Sequence, residues 1–208
     1  RDYFITNIFI QNTDWPGWNT LFWRKNTVYN PNAPYGNDGR WRTAIKDTDA
    51  GFGLMLDINN HNTLEFATAL GGPEWPNPEW STLILRRLLE NPSFKLSFIN
   101  RFADMMNTYF LPERVIDLSE QFADVIEPEI AEQYDRWGAP YSVSWWLISQ
   151  NEIETFADER PDYQRAHIRS KFAISSDIDA TLDVSDASHG YVKINTIEIN
   201  PDTPGVAV

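Results

Sequence analysis

The chain has 208 residues, with 30 Asp plus Glu against 17 Lys plus Arg and a formal net charge of −13. Such a surface repels a phosphodiester backbone and has no basic cluster to override the repulsion, which argues against nucleic acid as a partner. Without a single cysteine, disulfides, thiolate catalysis and cysteine-ligated zinc are excluded together, and no apolar run of about 18 residues exists to span a bilayer.

Residues 1–11 carry Phe4, Ile5, Ile8 and Phe9 at helical spacing, predicting the tail of a core helix. Thr13-Asp14-Trp15-Pro16-Gly17 is turn chemistry, since Pro fixes φ and Gly frees it. Residues 20–26 and 40–46 predict the two strands of a hairpin, joined by a turn-rich loop over 29–39. Residues 52–78 are rich in Gly, Pro and Asn and predict a long irregular insertion with one weakly helical patch at 64–70.

The chain then turns helical. One helix is expected over 80–90, and a second begins at Asn91-Pro92, cap and first turn. Pro112 opens a third, which Pro128 interrupts before Ile130, Tyr134 and Trp137 carry the pattern to Gly138. Ser142 caps a fourth through Phe156, and Pro161 starts another that ends near Phe172. Residues 178–199 alternate, with a turn expected at His189-Gly190, and predict a small β appendage. The expected class is α+β, mainly helical: a hairpin cradle and helical bundle over 1–175, then a β appendage or the start of a following β domain over 176–208. His61, His167 and His189 are too scattered to suggest a site. No signal peptide is visible, and the opening and closing residues read as a fragment cut at both ends.

Asp14 and Asn19 stand five positions apart, the spacing of base and metal-binding amide in a kinase catalytic loop. Asp47 and Asp49 follow the second strand and open onto Gly51-Phe52-Gly53. Phosphoryl transfer asks a protein for a carboxylate that orients or deprotonates the attacking hydroxyl and for oxygen ligands that hold a cation against the triphosphate. Asp14 suits the first role; Asn19, Asp47 and Asp49 suit the second. The same residues also suit plain turns, with Asp14 bonding its own backbone. Trp15, Trp18, Trp23 and Trp41 would stiffen and dry the cradle or simply pack a core. Arg24, Lys25, Arg40 and Arg42 are placed to meet phosphate, the acidic pair or solvent.

These segments resemble the CotH family, the spore-coat-type atypical protein kinases. The resemblance rests on N-T-D-W-P-G-W-N at 12–19, F-W-R-K at 22–25 and W-R-T-A-I-K-D-T-D-A-G-F-G at 41–53. It extends through L-L-E-N-P-S-F at 88–94, F-I-N-R-F-A-D-M-M-N-T-Y-F at 98–110, R-W at 136–137, E-R-P at 159–161 and G-Y-V-K-I-N-T at 190–196. It implies a divergent kinase C-lobe that phosphorylates serine or threonine of a partner protein with ATP and Mg or Mn. Asp14 matches the catalytic aspartate, Asn19 a metal-binding asparagine and Asp47 the metal aspartate, with Asp49 sharing or replacing that role. Family members occur in sporulating bacteria and in long exported proteins with extra β domains, so a spore-coat or exported setting is expected over the cytoplasm. The family's N-lobe, with its phosphate-binding lysine and partner glutamate, is expected upstream of Arg1. No V-A-I-K-like segment precedes Asp14, and weak or no activity is expected of these residues alone.

Three other readings fit the residues. A metal-dependent glycosyltransferase would use Asp47-Thr48-Asp49 on a sugar diphosphate, leaving Asp14 and Asn19 idle. A carbohydrate- or partner-binding module would use Tyr35, Trp75 and Trp80 as a stacking platform. A pseudokinase would keep the fold without turnover.

Overall fold

The computed structural model describes residues 1–56, 58–73, 77–182, 184, 186, 188 and 190–199. Among them the fold is α+β and mainly helical, with six α-helices and two small antiparallel sheets. No helix among the described residues is long and apolar enough to cross a membrane.

Helix α1 (Asp2–Phe9) is buried through Ile5, Ile8 and Phe9. Around it close α2 (Thr63–Phe66), α3 (Leu83–Leu89) and α4 (Pro92–Met106). Their apolar faces form one cluster in which Leu64, Leu85, Phe98, Phe102 and Met105 pack with Trp15 and Ile168. Sequence places the helix starts well. Asn91 accepts from the amides of Ser93 and Phe94 ahead of Pro92, and Asn62 accepts from the Glu65 amide, so both ends satisfy otherwise orphaned donors.

The hairpin forms from β1 (Leu21–Trp23) and β2 (Arg42–Ala44), in register Leu21 to Ala44. Its strands are shorter than the runs that predict them, because Asp38 takes over the end of the loop. This carboxylate is buried, accepts the Arg40 amide and Nε, and is gripped by both terminal nitrogens of Arg42 at 2.8 and 2.9 Å. Arg42 also lies over the rings of Trp23 and Tyr35, and Arg24 over Trp41. These cations are therefore spent on the hairpin itself and not on the acidic pair.

Two prolines are absorbed where breaks are expected. Helix α5 runs without interruption from Pro112 to Trp137 with Pro128 inside it, and α6 from Val143 to Phe172 with Pro161 inside it. Each proline forfeits one hydrogen bond. At Pro128 the freed carbonyl faces a solvated helix surface. At Pro161 the helix is held on both sides by buried Phe156, Ala157, Arg160 and Gln164. Gly138 ends α5 in the left-handed region at φ 70, and Ser142 caps α6 by accepting the Trp145 amide. The two helices pack against each other as a long antiparallel hairpin.

The β appendage consists of β3 (Val192–Ile194) and β4 (Ile197–Ile199). Its turn is Asn195-Thr196; the turn expected at His189-Gly190 involves His189, which lies outside the described residues, as do the closing residues from 200 on. The appendage is fastened to the helical body. Buried Asp104 of α4 accepts from the Thr196 amide at 2.9 Å, the Thr196 hydroxyl and the Asn195 amide group at 3.1 Å.

Candidate active site

The Asp14–Asn19 loop is built from α1 outward. Trp15 is 1% exposed, sits edge-on to Tyr3 and Phe4, and donates its indole N–H to the Tyr3 hydroxyl at 2.9 Å. Asn77 clamps the loop from outside: it accepts the Gly17 amide at 2.5 Å and donates to the Thr13 carbonyl at 2.9 Å. Gly17 has to be glycine here, since a Cβ would collide with the Pro78 ring. The loop is thereby fixed by an apolar anchor on one side and a polar bracket on the other.

On this loop the Asn19 amide donates to Asp14 Oδ2 at 2.7 Å. Asn19 and Asp47 both adopt left-handed backbone, φ 52 and φ 50, a conformation that Asn and Asp tolerate better than most residues. Asp14 Oδ1 is buried and has no hydrogen-bond partner. Burial pushes the Asp14 carboxyl above the usual carboxylate range, against the Asn19 hydrogen bond, and the charges of Asp49 and Asp47 push it the same way. The sequence-designated residues thus come together: Asp14 and Asn19 in direct contact, Asp47 and Asp49 close enough to act on Asp14 electrostatically. Among the described residues none of these three carboxylates forms an ion pair.

Asp14, Asn19 and Asp47 line a cleft of about 1070 Å³. It is also lined by Trp18, Met55, Leu56, Phe66, Ala69 and Pro73 and by His61, Asn62 and Glu65. The wall comes from the stretch expected to be irregular. It is ordered from beneath by Arg160 of α6, which is fully buried. Arg160 donates to the carbonyls of Ile8, Phe9, Asn59 and His61 and to the side chains of Gln11, Thr63 and Gln164, over 2.8–3.3 Å. Burial lowers its pKa to about 9, still charged at neutral pH. Its partners are neutral oxygens, several at the negative C-terminal end of α1.

The stretch Asn12–Asn19 through Asp47–Gly53 lies inside a match to the model of the CotH kinase protein family that covers residues 2–164. The chain belongs to the CotH kinase family. Neither the curated proteins nor the solved structures give a match.

Sequence reading missed several CotH residues that shape the cleft. Asn77 carries no local signature, and Arg160 appears only inside the E-R-P segment of the resemblance, without a role. Glu65 was detectable, since Asn62-Thr63-Leu64-Glu65 has capping-box spacing; its carboxylate meets Lys171 at 2.8 Å. Of the aromatic platform, Tyr35 is occupied by Arg42, Trp80 is exposed, and Trp75 lies outside the described residues. Of the tryptophans expected to dry the cradle, only Trp15 is buried; Trp18, Trp23 and Trp41 are exposed.

Proposed function

We propose that this CotH-family chain is the C-lobe part of an ATP- and Mg-dependent kinase that phosphorylates serine or threonine of a partner protein. The observation that carries the reading is the Asp14–Asn19 contact at 2.7 Å on the rim of a cleft that Asp47 also lines. A glycosyltransferase reading leaves that contact unused.

In this reading the acceptor hydroxyl approaches Asp14. Its oxygen attacks the γ-phosphorus of ATP, the bond to the β,γ-bridging oxygen breaks, and ADP departs with the electron pair. Asp14 receives the hydroxyl proton. The raised proton affinity of Asp14 suits a group that must take a proton late in the reaction. Asn19 holds Oδ2, which fixes the orientation of the carboxylate that takes the proton.

Asn19, Asp47 and Asp49 would hold the cation. Among the described residues no group of three or more His, Asp or Glu side chains is arranged to hold a metal ion, so these side chains are not a closed protein cage. That fits magnesium, which takes one or two carboxylates plus substrate phosphates and water. The cation, when bound, supplies neutralisation of the triphosphate charge.

The test is transfer of labelled γ-phosphate by the full-length parent protein to itself and to serine-bearing proteins. Asp14→Ala and Asp47→Ala are measured beside it. Labelling that depends on both residues and on a divalent cation is expected. Equal labelling by the parent and both variants removes the reading.

A further inference from the structure

Helices α5 and α6 leave one face of their hairpin uncovered. On α5, Val115, Ser119, Ala123 and Ile130 are the half-buried and buried positions of the seam with α6. A quarter-turn away Leu118, Phe122 and Val125 recur at i, i+4 and i+7, with Phe122 67% and Val125 76% exposed. On α6, Trp145 and Ile148, 47% and 59% exposed, lie about a third of a turn from the covered line of Trp146, Ile153 and Ala157, while Phe156 turns to Phe9 and Phe52. Both stripes step off their seams in the same rotational sense. For antiparallel helices this puts them on one face of the pair. Glu129 and Glu152 lie on those stripes, between and beside the apolar positions, and Glu159 further along α6 accepts from the Asn59 amide group at 3.0 Å.

The charge of this region is lopsided. Residues 112–159 hold twelve carboxylates against Arg114 and Arg136 alone, a net charge of −10, and the remainder of α6 to Phe172 brings the whole hairpin to −7. No ion pair among the described residues neutralises any of them. A second copy of the chain laid on this face would bring its own carboxylates against them. An apolar strip interleaved with unneutralised glutamates instead fits an amphipathic helix whose flanks are Lys and Arg.

We propose that the α5–α6 hairpin is a docking arm for a cationic amphipathic helix of a partner polypeptide, which completes it as a three-helix bundle. The apolar side of the incoming helix covers Phe122, Val125 and Ile148, and its basic flanks meet Glu129 and Glu152. The face is separate from the cleft, and the proposal stands whether or not the cleft transfers phosphate.

The test uses the full chain and a fluorescent 18-residue Leu/Lys peptide with Leu at helical spacing, beside a scrambled peptide of the same composition. Anisotropy at near-physiological salt is expected to give micromolar binding to the patterned peptide and at least roughly tenfold weaker binding to the scrambled one. A variant carrying Phe122→Ser, Val125→Ser and Ile148→Ser is expected to lose about tenfold or more with unchanged circular dichroism. Should it not fold, Glu129→Gln with Glu152→Gln is expected to weaken binding several-fold and flatten its salt dependence. Equal binding of both peptides, no binding, or full binding by the variants that fold overturns the proposal. So does sedimentation showing a dimer that the triple variant abolishes, which would give the face to a second copy.

Discussion

Two loop carboxylates flank the same hairpin, and their surroundings are opposite. Asp38 is gripped by Arg42 and Arg40, which hold its carboxyl well below the usual range. Asp14 has one neutral amide, one partnerless oxygen and two further carboxylates nearby, and its carboxyl is pushed up. A residue that serves the fold is saturated by opposite charge. A residue left short of partners at a cleft is a candidate for function. Sequence distance does not tell them apart; the company each keeps does.

The largest expected effect that sharpens this contrast is on Asp14. Asp14→Asn should cut phosphate transfer by about 10²–10⁴-fold, the usual worth of a positioned acid or base, in the labelling assay. The same variant should unfold at a higher urea midpoint at pH 7, because it removes a charge that burial and two neighbours oppose. Loss of activity together with loss of stability would break the contrast.

Next in size is Gly17→Ala. The new methyl must displace Pro78 and the Asn77 bracket, so transfer should fall by about tenfold or more through misplacement of the loop, with Asp14 itself intact.

Asp38→Asn should lower the unfolding midpoint and leave the labelling rate per folded molecule unchanged. A drop in that rate at full folding would assign Asp38 to the site.

The smallest effects are in pH dependence. Asp14's folded pKa is raised, so its ionisation works against folding. The deficit of the parent protein against Asp14→Asn should close as pH falls through that raised value. Asp38's folded pKa is depressed, so its stabilisation is full above the unfolded value near 4 and fades as pH falls below it. The advantage of the parent over Asp38→Asn should fade there. His167 adds a window between them: burial, helped by the charge of Arg160, lowers its pKa from 6.5 to about 4. Stability should decline from about pH 6.5 towards 4 and be flatter in His167→Gln. Urea midpoints across pH 3–8 check all three.

Much of this was legible in the sequence. The Asn-Pro and Ser caps mark the starts of α4 and α6, and the Asp-x-x-x-x-Asn spacing marks the Asp14–Asn19 contact, because each depends on neighbours within five residues. What was not legible depends on distant partners. Pro128 and Pro161 read as breaks, but tertiary packing carries α5 and α6 through them. Arg40 and Arg42 read as free cations, while burial of Asp38 claims them. The order within residues 52–73 comes from Arg160, roughly a hundred positions away in the chain, and from carbonyls that no side-chain pattern encodes.

Helix α6 is a single rod of 30 residues, about 45 Å at the usual rise. Its first turns bear Trp145 and Ile148; near its middle it plants Arg160 under the backbone of Asn59 and His61. One continuous helix therefore joins the exposed Trp145–Ile148 end to the backbone beneath the cleft.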